Sequence, residues 1–187
     1  MKKAMVICFV SLLLLVVGFG NAFPEIPMEK ISVKPDPVEG FSVDITTNRP
    51  VTRTFYPGEE IEFVFSATRD AYVVVYDVTP DGKVTILFPN AYDQDNFVKA
   101  NVKVRIPREG YRLLVEDARG KEYVQIVACS VQFVTYHEWQ QQFSHNAYPP
   151  VSGDAMDYFA KFQQKIDVVG DGPKILWASK IIYFYVK

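Results

Sequence analysis

Residues 71–90 read AYVVVYDVTPDGKVTILFPN, and the fold class turns on them. Two runs of β-branched and aromatic residues flank Thr79-Pro80-Asp81-Gly82. Proline at the first central position presets φ, and glycine follows where φ must be positive, which suits a type I turn with a glycine bulge. The stretch therefore predicts an antiparallel hairpin pairing 71–78 with 83–88. Pro89 has no amide hydrogen and cannot extend a central ladder, so the second strand should stop at Phe88. Asn90 can then accept a bond from the backbone two residues on, forming an Asx-type turn. AYVVVY is apolar on both faces, which requires cover on both sides.

Outward from the hairpin the same texture continues. FSVDIT, EIEFVFSA, NVKVRI, YRLLVE, EYVQIVAC and KIIYFYV bring the β-like runs to eight, predicting a mainly β chain built as an antiparallel β-sandwich. Asp117-Ala118-Arg119-Gly120 is a second candidate turn, pairing 111–116 with 121–129. Ile61, Phe63 and Phe65 oppose Glu60 and Glu62, and Val102, Val104 and Ile106 oppose Lys103 and Arg105, so those strands should be half solvated. Ile106-Pro107 should end its strand as Phe88-Pro89 does.

One or two helices are expected before the C-terminal strand. Thr135 and Glu138 have capping-box spacing, with Val134 and Trp139 placed as a hydrophobic staple. Met156, Phe159, Phe162 and Ile166 form one apolar stripe from about Asp154 to Ile166, ended by Gly170-Asp171-Gly172-Pro173. In IIYFYV, Ile181, Tyr183 and Tyr185 face one way, and Ile182, Phe184 and Val186 the other. The stripe is expected to pack on the outer face of the sheet containing that last strand. If it stands off, Phe159, Phe162, Tyr183 and Tyr185 become candidate binding residues.

The N-terminus has different chemistry. Lys2 and Lys3 precede an almost wholly apolar run from Ala4 to Phe19, and Gly20-Asn21-Ala22 supplies small residues for a cut after Ala22. That is the layout of a secretory signal peptide. A run of about 17 residues is also at the lower limit for spanning a bilayer, so an uncleaved anchor is the rival reading. No second run is long enough to span, so no membrane span is expected after cleavage. The organisation read from the sequence is a signal peptide at 1–22, a Pro-rich arm or linker at 23–40 with KISV as a candidate edge strand, and one domain at 41–187 with a helical insertion at about 135–167. Without residues 1–22 the formal charge falls from −2 to −4. That balance, with no Lys/Arg cluster, argues against nucleic acid. Cys129 is then the one cysteine, and its apolar neighbours suggest a buried, inert thiol.

Candidate chemistry concentrates in two places. Asn90, Asp93, Asp95 and Asn96 invite a calcium reading, and Asp93 and Asp95 have the spacing of the first and third EF-hand ligands. The glycine and glutamate required later in such a loop are Val98 and Val104 here, so a turn-forming loop is the preferred reading. His137-Glu138 opens like a zinc-protease motif, but the second histidine position is Gln141, and His145 lies further on. A Cys129–His137 nucleophilic pair would need an exposed thiol. Glu59 and Glu62 are most simply solvated. No nucleophile elbow, phosphate loop or dinucleotide fingerprint occurs, and no cofactor is indicated. Fourteen phenylalanines and eleven tyrosines suit a core, with a tyrosine-lined groove for glycan or peptide as the functional alternative.

Several of these residues together resemble a bacterial family known as domain of unknown function 4384. The likeness covers about residues 41–130 and rests on Tyr56, Gly58-Glu59, Asp81-Gly82, Leu87-Phe88-Pro89-Asn90, Asn96, Ala100 and Ile106-Pro107. It implies an all-β extracytoplasmic module and assigns no site. The expectation is a non-enzymatic exported binding or assembly module of the cell envelope with a protein or glycan partner. The rival is a metal-dependent or hydrolase-class enzyme using the 90–96 loop or the His137–His145 segment.

Overall fold

A computed structural model of the protein describes residues 27–33, 38–50, 54–151, 153–167 and 175–187, the side chains of residues 29 and 165–167 aside. The expected leader and its cut after Ala22, Pro35, Pro37, the Ile166 side chain and the 170–173 turn lie outside that set.

The chain is mainly β and sandwich-like, and the described residues form nine strands in two sheets with two α-helices before the last strand. Strands β1 (Val43–Thr47), β3 (Phe63–Ala67) and β7 (Val104–Ile106) form the small sheet in the order β1-β3-β7. The large sheet runs β2 (Thr54–Phe55), β9 (Trp177–Val186), β8 (Gly120–Cys129), β4 (Ala71–Val78), β5 (Val84–Phe88), with β6 (Phe97–Val98) also on β4. All neighbours are antiparallel except the short β2–β9 edge pair.

The 71–90 hairpin forms as its turn chemistry requires. The Gly82 amide donates to the Thr79 carbonyl at 2.9 Å, Gly82 has φ +88°, and β5 ends at Phe88 before Pro89. The second expected hairpin does not form. Residues 113–115 instead bond the 58–61 segment, with Ile61 N to Leu113 O at 3.1 Å and Val115 N to Glu59 O at 3.0 Å. The reason is edge occupancy: β4 takes one side of β8 and β9 the other, so no free edge is left for 111–116. Gly120, with φ +136°, lies so close to Pro80 that a Cβ would come within 3.0 Å of its ring. The entry to β8 is thereby seated on the first hairpin's turn.

Two-sided burial is the organising fact. Val73, Val75, Val124, Ile126, Ala128 and Phe184 of the large sheet face the small sheet and meet Ile45, Phe63, Phe65 and Ile106. The other face carries Val74, Tyr76, Val78, Tyr123, Val127 and Cys129. It is covered by the arm residues Ile31 and Val33, by Phe133, by Trp139 and Phe143 around α1 (Tyr136–Gln142), and by α2 (Ala155–Asp167). Cys129 is buried there, as its neighbours implied.

Covering this second face changes several local expectations. KISV does not add a strand. Lys30 ends a single 3-10 turn, and Val33 is held by the buried amide of Gln125, whose Nε2 donates to Val33 O at 2.9 Å while Oε1 accepts from Val33 N at 3.2 Å. No capping box forms at α1: the Thr135 side chain makes no cap bond, and Val134 is 85% exposed, so there is no staple. Trp139 turns instead toward Phe133 and Tyr76, where it removes more apolar surface from water. Val102 is also exposed rather than inward, because β7 begins only at Val104.

Helix α2 does pack on the outer face of the sheet that contains β9, through Phe159 and Phe162. Both rings lie edge-on to Tyr76, at 5.5 and 6.0 Å, and Phe162 reaches Trp177 of β9 at 6.0 Å. Tyr76 Oη is satisfied by Tyr158 Oη at 2.9 Å. The helix covers only the end of β9 that lies opposite the C-terminal half of β8. Tyr183 and Tyr185, further along, remain 42% and 45% exposed. The Lys121 ammonium sits 4.6 Å above the Tyr183 ring and shelters part of that end. Met156 points outward despite its place in the expected stripe.

Phe159 is a closely packed aromatic at the centre of this layer, so Phe159→Ala is expected to destabilise the fold by about 3–5 kcal/mol. Met156→Ala should change it by less than about 0.5 kcal/mol. Urea unfolding monitored by tryptophan fluorescence measures both.

Candidate functional site

The loop after β5 is built around Asn90, which is fully buried. Its Oδ1 accepts from the amides of Tyr92 at 2.9 Å and Asp93 at 3.0 Å, and its Nδ2 donates to Leu87 O at 2.8 Å. This is the Asx turn that the sequence implies, closed on both sides. Asp93 is buried against Arg108, Nε to Oδ2 2.7 Å. Burial raises its carboxyl above the ordinary range, with Arg108 opposing and Asp95 adding to the rise. The Asp95 carboxylate accepts from Phe97 N at 3.0 Å. Asn96 exchanges amide bonds with Gln132 at 3.1 and 2.7 Å and donates to Val73 O at 3.2 Å. Each of the four polar side chains is thus committed to a separate structural partner. Among the described residues no group of three or more His, Cys, Asp or Glu is placed to hold a metal.

The other sequence candidates also lie apart. His137 and His145 are exposed, and His145 Nδ1 contacts Ser144 Oγ at 2.8 Å. Cys129 is wholly buried, and burial pushes its thiol up to about 11, far from a thiolate at neutral pH. Glu59 pairs with Arg49 and Glu62 with Arg105, both at 2.9 Å. Phe159 and Phe162 are core residues, whereas Tyr183 and Tyr185 keep exposed rings.

The turn does present aromatic rings. Tyr92, 62% exposed, stacks on Tyr111 with centroids 4.9 Å apart and planes 14° from parallel. Tyr148 lies 6.3 Å from each, tilted by about 50°. The Asn90 amide also contacts Tyr111 Oη at 3.3 Å, tying the platform to the Leu87-Phe88-Pro89-Asn90 turn. Such stacking holds an exposed ring in place and keeps its free face available.

Beneath this platform a cleft of about 100 Å³ opens between β5 and the 111–116 segment. Leu87, Leu113, Val115 and Phe184 supply apolar walls, Tyr148 stands at one side, and Asp77 and Glu122 line it. Sheet geometry places the two acids together. Asp77 is opposite Val124, and Glu122, two residues before Val124, shares its face. Their carboxyl groups are hydrogen-bonded to each other. Glu122 is only 6% exposed, and Asp77 is partly buried. Apart from that contact, Asp77 Oδ1, Glu122 Oε2 and Tyr148 Oη are each buried without a hydrogen-bond partner.

Desolvation raises both carboxyls, and the charge of Asp77 adds to the rise at Glu122. Glu116 pushes both the same way, while Lys83, itself paired with Glu116 at 3.0 Å, partly offsets the rise at Asp77. The pair therefore keeps a shared proton at neutral pH. No sequence motif marks this dyad. The one local signal is an acid at Asp77 within an otherwise apolar strand.

The sign of the resulting pH dependence follows from linkage. The native state holds protons that unfolded carboxyls release above about pH 4, so stability declines as pH rises through the raised native values. Glu122→Gln, which cannot ionise, should flatten the decline between pH 5 and pH 9 and raise Tm relative to the unmodified protein at pH 9. Calorimetry across that range reads both.

No curated protein and no solved structure matches this chain. Residues 54–132, which include the turn, the tyrosine platform's Tyr92 and Tyr111, and both acids of the cleft, match the family model described as "Domain of unknown function (DUF4384)". Over that segment the match supports the resemblance to the domain of unknown function 4384 family noted from the sequence.

Proposed function

We propose that this protein is an exported binding module of the bacterial cell envelope, and that it takes a protein or glycan ligand at the tyrosine platform and cleft beside Leu87-Phe88-Pro89-Asn90. The observation that carries this reading is the stacked Tyr92–Tyr111 pair, an exposed aromatic surface fixed by a buried asparagine turn. Flat, pre-ordered rings favour the apolar faces of sugars and the side chains of extended peptides, because little conformational freedom is lost on contact. The cleft below them gives a ligand depth as well as a face. Export is supported by the Lys2-Lys3 start, the apolar run and the small residues ending at Ala22.

Two measurements test the reading. Protein recovered from the cell envelope or medium should begin at Phe23, and an intact Met1 on recovered material would refute cleavage. Screening against arrays of envelope glycans and extended peptides should give a ligand whose affinity falls about tenfold in Tyr92→Ala, the scale of one aromatic contact of about 1.4 kcal/mol. An unchanged affinity in Tyr92→Ala would move the binding surface elsewhere.

A further inference from the structure

Within the proposed binding site, and resting on that reading, the floor of the cleft carries a more specific chemistry. We propose that the cleft binds a primary alkylammonium group, the end of a lysine-like side chain, with its methylenes along the Leu87, Leu113, Val115 and Phe184 walls and its N–H donors directed to the Asp77–Glu122 pair and Tyr148.

Three observations converge on that class. Asp77 Oδ1, Glu122 Oε2 and Tyr148 Oη line the same cleft, and apart from the contact between the two carboxyls none has a hydrogen-bond partner within the protein. A buried acceptor without a donor is costly, and an ammonium has three donors and no acceptor. A neutral hydroxyl offers only one donor and no charge to replace the proton that the two carboxyls share. The volume, about 100 Å³, suits a side-chain end. Charge agrees as well. Asp77, Glu122 and Glu116 line the site, against Arg112, which is already paired with Glu60 at 3.0 Å; Lys83, outside the lining, is paired with Glu116. Asp81 adds to the negative field at Glu122. Entry of the cation displaces the proton shared by the two carboxyls, which passes to solvent. The affinity should therefore rise with pH between 6 and 9.

The test is calorimetric titration of the folded protein with n-pentylammonium chloride and, separately, Nα-acetyl-lysinamide. Pentanol and sodium chloride serve as controls. Saturable binding of the ammonium compounds is expected, with proton release seen as a dependence of the heat on buffer ionisation. Pentanol should bind at least tenfold more weakly. Glu122→Gln keeps the shape of the side chain and should weaken ammonium binding at least tenfold while retaining the native Tm at pH 6. Tighter binding of the lysinamide than of pentylammonium assigns the ligand to a peptide, and equal binding assigns it to free amines. No saturable binding of either compound, equal affinity for pentanol, or undiminished affinity in folded Glu122→Gln overturns the proposal. Because Tyr92→Ala leaves the floor intact, it should retain pentylammonium binding. Loss of the platform ligand without loss of the ammonium therefore separates failure of one reading from failure of the other.

Discussion

The structure depends on a sheet whose central strands are apolar on both sides. Strands β4 and β8 cannot be satisfied by one layer of packing, because every second residue on each face would remain in water. The small sheet covers one face, and the other is covered by the arm at Ile31 and Val33, by Phe133, and by helices α1 and α2. Tyr76 is the centre of that second layer, ringed by Trp139, Tyr158, Phe159 and Phe162, with its hydroxyl bonded to Tyr158. A buried tyrosine of this kind supplies area and one satisfied polar contact, which fixes the helix in register on the sheet.

The same layering explains why Ile31 and Val33 of the arm pack against the sheet. The Gln125 side chain, pointing out of β8, offers the Val33 backbone both a donor and an acceptor, as a neighbouring strand would. Ser179 Oγ adds a third bond to Val33 O at 2.6 Å. The arm is thus stitched over the sheet without forming a strand, and both Ile31 and Val33 are removed from water.

The cleft and the exposed tyrosines lie where this packing is interrupted. At the β5 end of the sandwich the 111–116 segment crosses to the small-sheet side and leaves a cleft rather than a closed seam. Asp77 and Glu122 occupy positions that, by strand alternation, belong to the core. Two acids in that setting cannot both be charged without large desolvation cost, so they share a proton and stay responsive to what enters. The Asn90 turn sets the tyrosine platform above them. The residues that end the strand also place the exposed rings.

The sequence by itself determined the β class, the 71–90 hairpin, the strand end at Pro89, the Asx turn at Asn90, the burial of Cys129 and the need for cover on both faces of AYVVVY. Each follows from local causes: a fixed φ, a missing amide hydrogen, a side chain reaching its own backbone, or side-chain alternation. Tertiary structure alone decided which edges pair. The 111–116 run lost its expected partner because β9, nearly fifty residues downstream of β8, already occupied that side. It also decided that Thr135 would not cap α1, since Trp139 is drawn into the outer layer, and that Tyr183 and Tyr185 would lie beyond the reach of α2. The Asp77–Glu122 dyad was illegible for the same reason. Two acids on separate strands become a pair only through register, and register is set by the packing of the whole sheet.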